Sequence, residues 1–130
     1  MEFRPAKPEE YEAVRRFLAG VGWEQRVGDP ERFRRMMEQT ARTVVAWDDR
    51  MVVGFARALC DEASNGYISM VAVAAAYRGR GIGRKLIEHL IGDESDNITW
   101  ILRAGHASKG FWEKIGFTAS EVAMERVRRK

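Results

Sequence analysis

The chain has 130 residues, 45% of them hydrophobic and 32% charged, and carries a net charge of +3. That size suits one domain with a modest core, and the apolar content excludes a chain disordered for want of hydrophobic residues. The longest apolar runs, such as residues 70–76, fall far short of the roughly 20 residues that cross a bilayer, and the N-terminus lacks a signal-peptide pattern, so the cytoplasm is the expected location and no membrane partner is expected.

Residues 2–4 predict a short strand. Pro8 can open a helix, since its missing N–H would be unpaired there in any case. Tyr11, Val14 and Leu18 then recur at helical spacing, and Gly20-Val-Gly22 ends the helix. Asp29-Pro30 predicts a second helix with Asp29 as N-cap and an apolar stripe of Phe33, Met36 and Met37. Residues 43–47 are rich in β-formers, 48–50 form a turn, and 51–59 complete a hairpin. A polar turn at 61–66 precedes a third β run at 67–73. Ile82, Leu86, Ile87 and Leu90 predict a further helix. Residues 97–102 predict a strand and 107–115 a helix closed by Gly116, and 117–127 predict a last strand. The order implies one α/β (α+β) domain over residues 1–130, built on a single mixed, mostly antiparallel sheet flanked by helices.

The most informative stretch is Arg78-Gly79-Arg80-Gly81-Ile82-Gly83-Arg84, between a β run and an amphipathic helix. Glycines there permit positive φ and close approach of backbone to a ligand. A helix start presents unpaired N–H groups and partial positive charge. Together they suit a phosphate or pyrophosphate, and Arg78, Arg80 and Arg84 add charge. A strand-to-helix turn with no ligand is the alternative. Two other phosphate loops do not fit. The dinucleotide fingerprint needs G-x-G-x-x-G opening a βαβ unit, and here the spacing is G-x-G-x-G. A P-loop needs Ser or Thr after its Lys, and Leu86 follows Lys85.

This segment resembles the GNAT superfamily of N-acetyltransferases, whose R/Q-x-x-G-x-G/A follows the fourth strand. Arg78-x-x-Gly81-x-Gly83 matches it, and Tyr77 and Gly79 fit its flanks. Val71-Ala-Val73 resembles the family strand that pairs with the pantetheine arm, and Gly110-Phe-Trp-Glu-Lys-Ile-Gly-Phe117 resembles the family's G-F-Y-E-K-L-G-F segment. The resemblance covers nearly the whole chain. It implies a GNAT-like fold and acetyl-CoA as cosubstrate. Backbone amides from Arg78 through Gly79, Arg80, Gly81, Ile82 and Gly83 to Arg84 would bind the pyrophosphate, and the backbone at Val71 and Val73 the pantetheine. The Val71 amide would polarise the thioester carbonyl, and an amine would attack it directly. Gly22-Trp-Glu-Gln-Arg26 with Gly54-Phe-Ala-Arg-Ala-Leu-Cys-Asp61 resembles the branch that includes arylalkylamine acetyltransferases. Homodimers are common in similar proteins.

The chain departs from the family at two positions. Trp112 stands where many relatives have a Tyr that protonates the departing thiolate. Indole only donates an N–H and is no acid at useful pH, so packing against the cofactor is the expected role. The acidic residue that relatives carry near Ser69 and Met70 is missing. Asp61 and Glu62 are then the nearest candidates for a general base, with a solvated turn as the alternative. Cys60 lacks a sequence-local His and reads as a strand-end residue, not a nucleophile. His106 could contact the cofactor or sit in a loop, and His89 reads as exposed. Trp23 either faces the acceptor or joins the core with Phe33 and Trp47. No metal is implied, since no Cys/His cluster has ligand spacing. The expectation is acetyl transfer to a primary amine, with a small molecule favoured over a protein amine. A CoA-binding module without catalysis, and an acyl group other than acetyl, are the alternatives. Nucleic acid is not an expected partner, as no RNP or helix-turn-helix pattern accompanies the basic charge.

Overall fold

The computed structural model describes residues 1–105 and 107–129. Five strands form one sheet in the order β1-β2-β3-β4-β5, which is also their order in the chain. They are β1 (Glu2–Arg4), β2 (Arg42–Asp48), β3 (Met51–Cys60), β4 (Asn65–Val73) and β5 (Thr99–Leu102). All neighbours pair antiparallel except β4 and β5, which run parallel. A parallel pair needs a crossover, and α4 (Ile82–Ile91) supplies it. The helices α1 (Tyr11–Leu18), α2 (Glu24–Val27) and α3 (Pro30–Glu38) precede β2, and α5 (Lys109–Lys114) follows β5.

The hydrophobic residues divide between two faces. Val44, Ala46, Ala56, Ala58 and Ile68 pack with Ile82, Leu86, Leu90 and Trp112 on one side. Val45, Trp47, Phe55 and Met70 pack with Val14, Leu18, Val27, Phe33 and Met37 on the other. This is the strand alternation of period two meeting helical stripes on both sides. Asp29 caps α3 as expected, accepting from the amides of Glu31 at 3.0 Å and Arg32 at 3.3 Å.

The glycines end α1 as expected: the backbone at Val21 and Gly22 is non-helical, and Gly22, with φ of 108°, turns the chain into a further short helix, α2. One expectation needs correction. The expected last strand over 117–127 does not form. The Ser120 hydroxyl accepts from the amides of Val122 and Ala123, taking donors that a strand ladder would need. Val122 and Met124 are consequently exposed.

The approach of α4 to the sheet depends on Gly54. A Cβ there would lie 3.1 Å from Leu86, 3.2 Å from Ala46 and 3.3 Å from Ile82. Gly54→Val therefore overpacks the contact that sets the height of α4. Its expected cost is about 1–3 kcal/mol, seen as a lower urea midpoint with an unchanged m-value.

Candidate functional site

The loop from β4 to α4 follows its residue types. Residues Ala75–Tyr77 make one 3-10 turn, with the amides of Tyr77 and Arg78 donating to the carbonyls of Ala74 and Ala75. The chain then turns into α4 through left-handed backbone at Gly79 and Gly81, both with φ of 79°. Gly81 is the N-cap and makes no side-chain cap. The Lys85 amide donates to the Gly81 carbonyl at 3.1 Å. The amides of Ile82, Gly83 and Arg84 precede that first helical bond and have no acceptor in the helix. They sit at its positive end. A Cβ on Gly79 or Gly81 would meet no atom within 4 Å, so these two serve conformation, not packing. Gly83 differs. A Cβ there would come within 3.1 Å of the Phe111 ring, so its glycine lets α5 lie against α4.

The arginine and tyrosine side chains brace this loop. The Tyr77 hydroxyl donates to the Asp48 carboxylate in a short hydrogen bond, which raises the phenol above its ordinary pKa. The Arg80 guanidinium lies over the Tyr77 ring, 4.9 Å from its centroid. Arg78 Nε donates to the Val73 carbonyl at 3.4 Å, and Arg84 lies 4.0 Å from Glu88 on the exposed side of α4. The link from the loop to Asp48, across the hairpin turn, has no local sequence signal.

The strand leading into the loop is irregular. Against β3, Ser69 pairs with Arg57 and Ala72 with Phe55, so Met70 and Val71 together oppose Ala56. Met70 has φ of 56°, in the left-handed region that non-glycine residues seldom occupy. This is a β-bulge, and it bends the strand. Pairing with β5 covers only Asn65 to Ile68. Beyond the bulge, β4 is paired to β3 alone, and its other edge runs straight into the glycine loop. Val71 and Val73 lie in this one-sided stretch, half-buried, with side chains against the α4 face of the core. The bulge had no signal in the sequence, since methionine is not a residue chosen for positive φ.

Trp112 is buried on the same side. Its ring meets Phe111 edge-on at 5.0 Å and Phe117 at 5.3 Å. Asp61 lies elsewhere. Its carboxylate accepts from the amides of Ala63, Ser64 and Asn65 and from the Ser64 hydroxyl. These bonds, the Ser64 hydroxyl first, hold it well below the usual carboxylate range. From its turn at Asn65 to Val71 is roughly 20 Å along the strand. Glu62 pairs with Arg42 at 2.7 Å, which lowers its pKa too. Both acids therefore stabilise the β3–β4 turn, and neither is brought to Val71.

Cys60 accepts a hydrogen bond at Sγ from the Glu62 amide, as a strand-end residue. His89 is exposed and stacks on Phe3. Trp23 is half-buried against the α1–α3 side of the core. His106 lies outside the described residues. A cleft of ≈ 710 Å³ is lined by Thr40, Arg42, Glu62 and Gly92, at the end of α4 remote from Gly81, and takes in Glu62 but neither Asp61 nor any of the residues expected to hold the cofactor.

The fold that carries this site recurs in proteins of known structure. The chain resembles a Trypanosoma brucei acetyltransferase with 24% identity and a TM-score of 0.73, covering 98% of this chain and 99% of that one. A GNAT-family acetyltransferase from Streptococcus pneumoniae TIGR4 has 20% identity and a TM-score of 0.78, covering 99% and 98%. A predicted acetyltransferase from Clostridium acetobutylicum, whose structure is with acetyl-CoA, has 17% identity and a TM-score of 0.74, covering 97% and 95%. These likenesses establish the fold. A comparison with curated proteins gave no match. The family model described as an acetyltransferase (GNAT) domain matches residues 6–128, nearly the whole length, and the chain accordingly belongs to the GNAT acetyltransferase family.

Proposed function

We propose that this chain transfers the acetyl group of acetyl-CoA to a primary amine of a small molecule by direct attack. The observation that carries the reading is the junction of the glycine-opened start of α4 with the one-sided stretch of β4. The free amides of Ile82, Gly83 and Arg84 and the open approach at Gly79 and Gly81 fit a pyrophosphate, which needs donors, positive potential and no side chain in the way. Arg78 and Arg80 add positive charge while bracing the loop. The unpaired edge beyond Met70 offers ladder groups to the amide-rich pantetheine arm, much as a sheet edge takes an added strand.

Acetyl-CoA supplies the activated acyl group as a thioester. The chain's own contribution is to orient it and to stabilise charge. In this reading the Val71 amide donates to the carbonyl oxygen on which negative charge develops. The amine proton leaves through solvent, since the acids nearest in sequence are committed to their turn and are weak bases. Trp112 supports the cofactor side by packing.

The direct experiment is release of free CoA from acetyl-CoA by the purified protein across amines, polyamines, aminoglycosides and lysine peptides. Turnover with small amines is expected, and preferred turnover with lysine peptides would overturn the small-molecule reading. Gly81→Val is expected to weaken acetyl-CoA binding sharply in calorimetry, because valine resists φ of 79° and stands in the ligand's approach. Lys85→Ala is expected to matter far less. Equal affinity in a folded Gly81→Val protein would relocate the pyrophosphate site.

Trp112 tests the chemistry of the leaving group. An ordinary thiol has a pKa of about 8.5, so the CoA thiolate can depart near neutral pH without an acid. Trp112→Phe should then keep kcat within about tenfold, well inside the 10²–10⁴ typical of a lost proton donor. Its main loss should fall on the acetyl-CoA KM and on thermal stability, as a buried ring shrinks. A kcat abolished at unchanged fold and acetyl-CoA affinity would require an indole-dependent step.

A further inference from the structure

Among the described residues one charged side chain is buried, on the face of the sheet opposite α4. Arg57 lies in β3 between Ala56 and Ala58, which pack towards α4, so its side chain belongs with that of Phe55 on the α1–α3 side. It is only 7% exposed. Its Nε donates to the Thr40 hydroxyl at 3.0 Å, and Thr40 in turn donates to the Met36 carbonyl. Among the described residues no carboxylate lies within ion-pair distance of it, and no acceptor meets its two terminal nitrogens. Burial lowers its pKa against a smaller opposing effect of Tyr67, yet a guanidinium stays charged in proteins.

A buried cation with donors to spare is unfavourable in the free protein. Structural arginines are satisfied by carboxylates or carbonyls, as Arg42 is here by Glu62 and by the carbonyls of Leu90 and Ile91. Arg57 is built differently, and it stands at a telling place. Its partner across the ladder is Ser69, the residue before the bulge, two positions from Val71. Tyr67 and Ser69 share its face, because Ile68 between them packs towards α4. The donors left over on Arg57 therefore belong to the side of β4 opposite the α4 core, beside the bulge.

We propose that Arg57 is a specificity-determining residue that binds a carboxylate on the acceptor, so that the substrate is an amino acid or a similar amino-carboxylate. The two terminal nitrogens of a guanidinium match the two oxygens of a carboxylate. One monocation also balances one monoanion, and it repels a polycationic acceptor. The inference rests on the amine-acetyltransferase reading given above and narrows its substrate class. The signal was present in the sequence as a single charge inside the apolar run of β3.

The test compares L-amino acids, each paired with the amine left when its carboxyl group is removed, as acceptors for acetyl-CoA. The protein is expected to prefer the carboxylate member by at least about tenfold in kcat/KM. Arg57→Gln should lower kcat/KM for that member by about 100-fold, mostly through KM, and leave the decarboxylated partner unchanged. Arg57→Lys, which keeps the charge, should recover part of the loss and stands in if the glutamine variant fails to fold. A preference for the decarboxylated amines, or an equal loss on both members, would overturn the proposal. If neither member of any pair turned over while other amines did, the proposal would fall, and if no amine turned over, the amine-acetyltransferase reading would fail. Calorimetric titration of the CoA-saturated protein would still decide Arg57. Carboxylate binding abolished by Arg57→Gln supports it, and absent or equal binding overturns it.

Discussion

The extra residue in β4 governs the rest of the molecule. A strand paired on both sides along its whole length has no main-chain groups to offer a ligand. Here β4 pairs in parallel with β5 as far as Ile68, and the bulge at Met70 then bends it. Side-chain phase changes with it. Ser69 lies opposite the α4 face, and Met70, which strict alternation would send to the α4 side, packs instead with Val45 and Phe55. Val71 and Val73 then return to the α4 core. The packing of Met70 holds a backbone conformation that an unrestrained methionine would leave. Strain of this kind persists only where its surroundings enforce it.

The second half of the site depends on how close α4 can come. Gly54 lets the helix settle on the sheet, and Gly83 lets α5 settle on the helix. The loop between β4 and α4 is thereby fixed at both ends, and Tyr77 ties its middle to Asp48. Glycines around this loop thus do separate jobs. Gly79 and Gly81 turn the chain, while Gly54 and Gly83 make room for apolar neighbours. In the proposed mechanism much of the chemistry falls to main-chain amides, which would leave side chains around the site free to vary while the geometry persists. That is consistent with identities of 17–24% to proteins of the same fold.

The acidic residues illustrate the opposite case, in which a side chain's function depends on its neighbours. Asp61 has the chemistry of a base, but three amides and a hydroxyl saturate its oxygens. Glu62 is likewise engaged by Arg42. Arg57, by contrast, resembles one more arginine among many in composition, and its burial without a carboxylate makes it unusual.

Local chemistry determined a good deal by itself. The helical stripe from Ile82 to Leu90, the Asp29 cap, the hairpin over β2 and β3 and the glycines that need positive φ all depend on residues near each other in the chain, so their pattern is legible there. The family motif was legible for the same reason, because a glycine-rich strand-to-helix turn is a local object. The bonds that saturate Asp61 are local too, as are those from the Val122 and Ala123 amides to Ser120 where a strand over 117–127 was expected, each spanning four residues or fewer. Tertiary structure alone decided the bulge at Met70, the one-sided edge beyond Ile68 and the Tyr77–Asp48 tie. Each of these turns on which groups meet across the sheet, and no propensity of a single residue encodes that meeting.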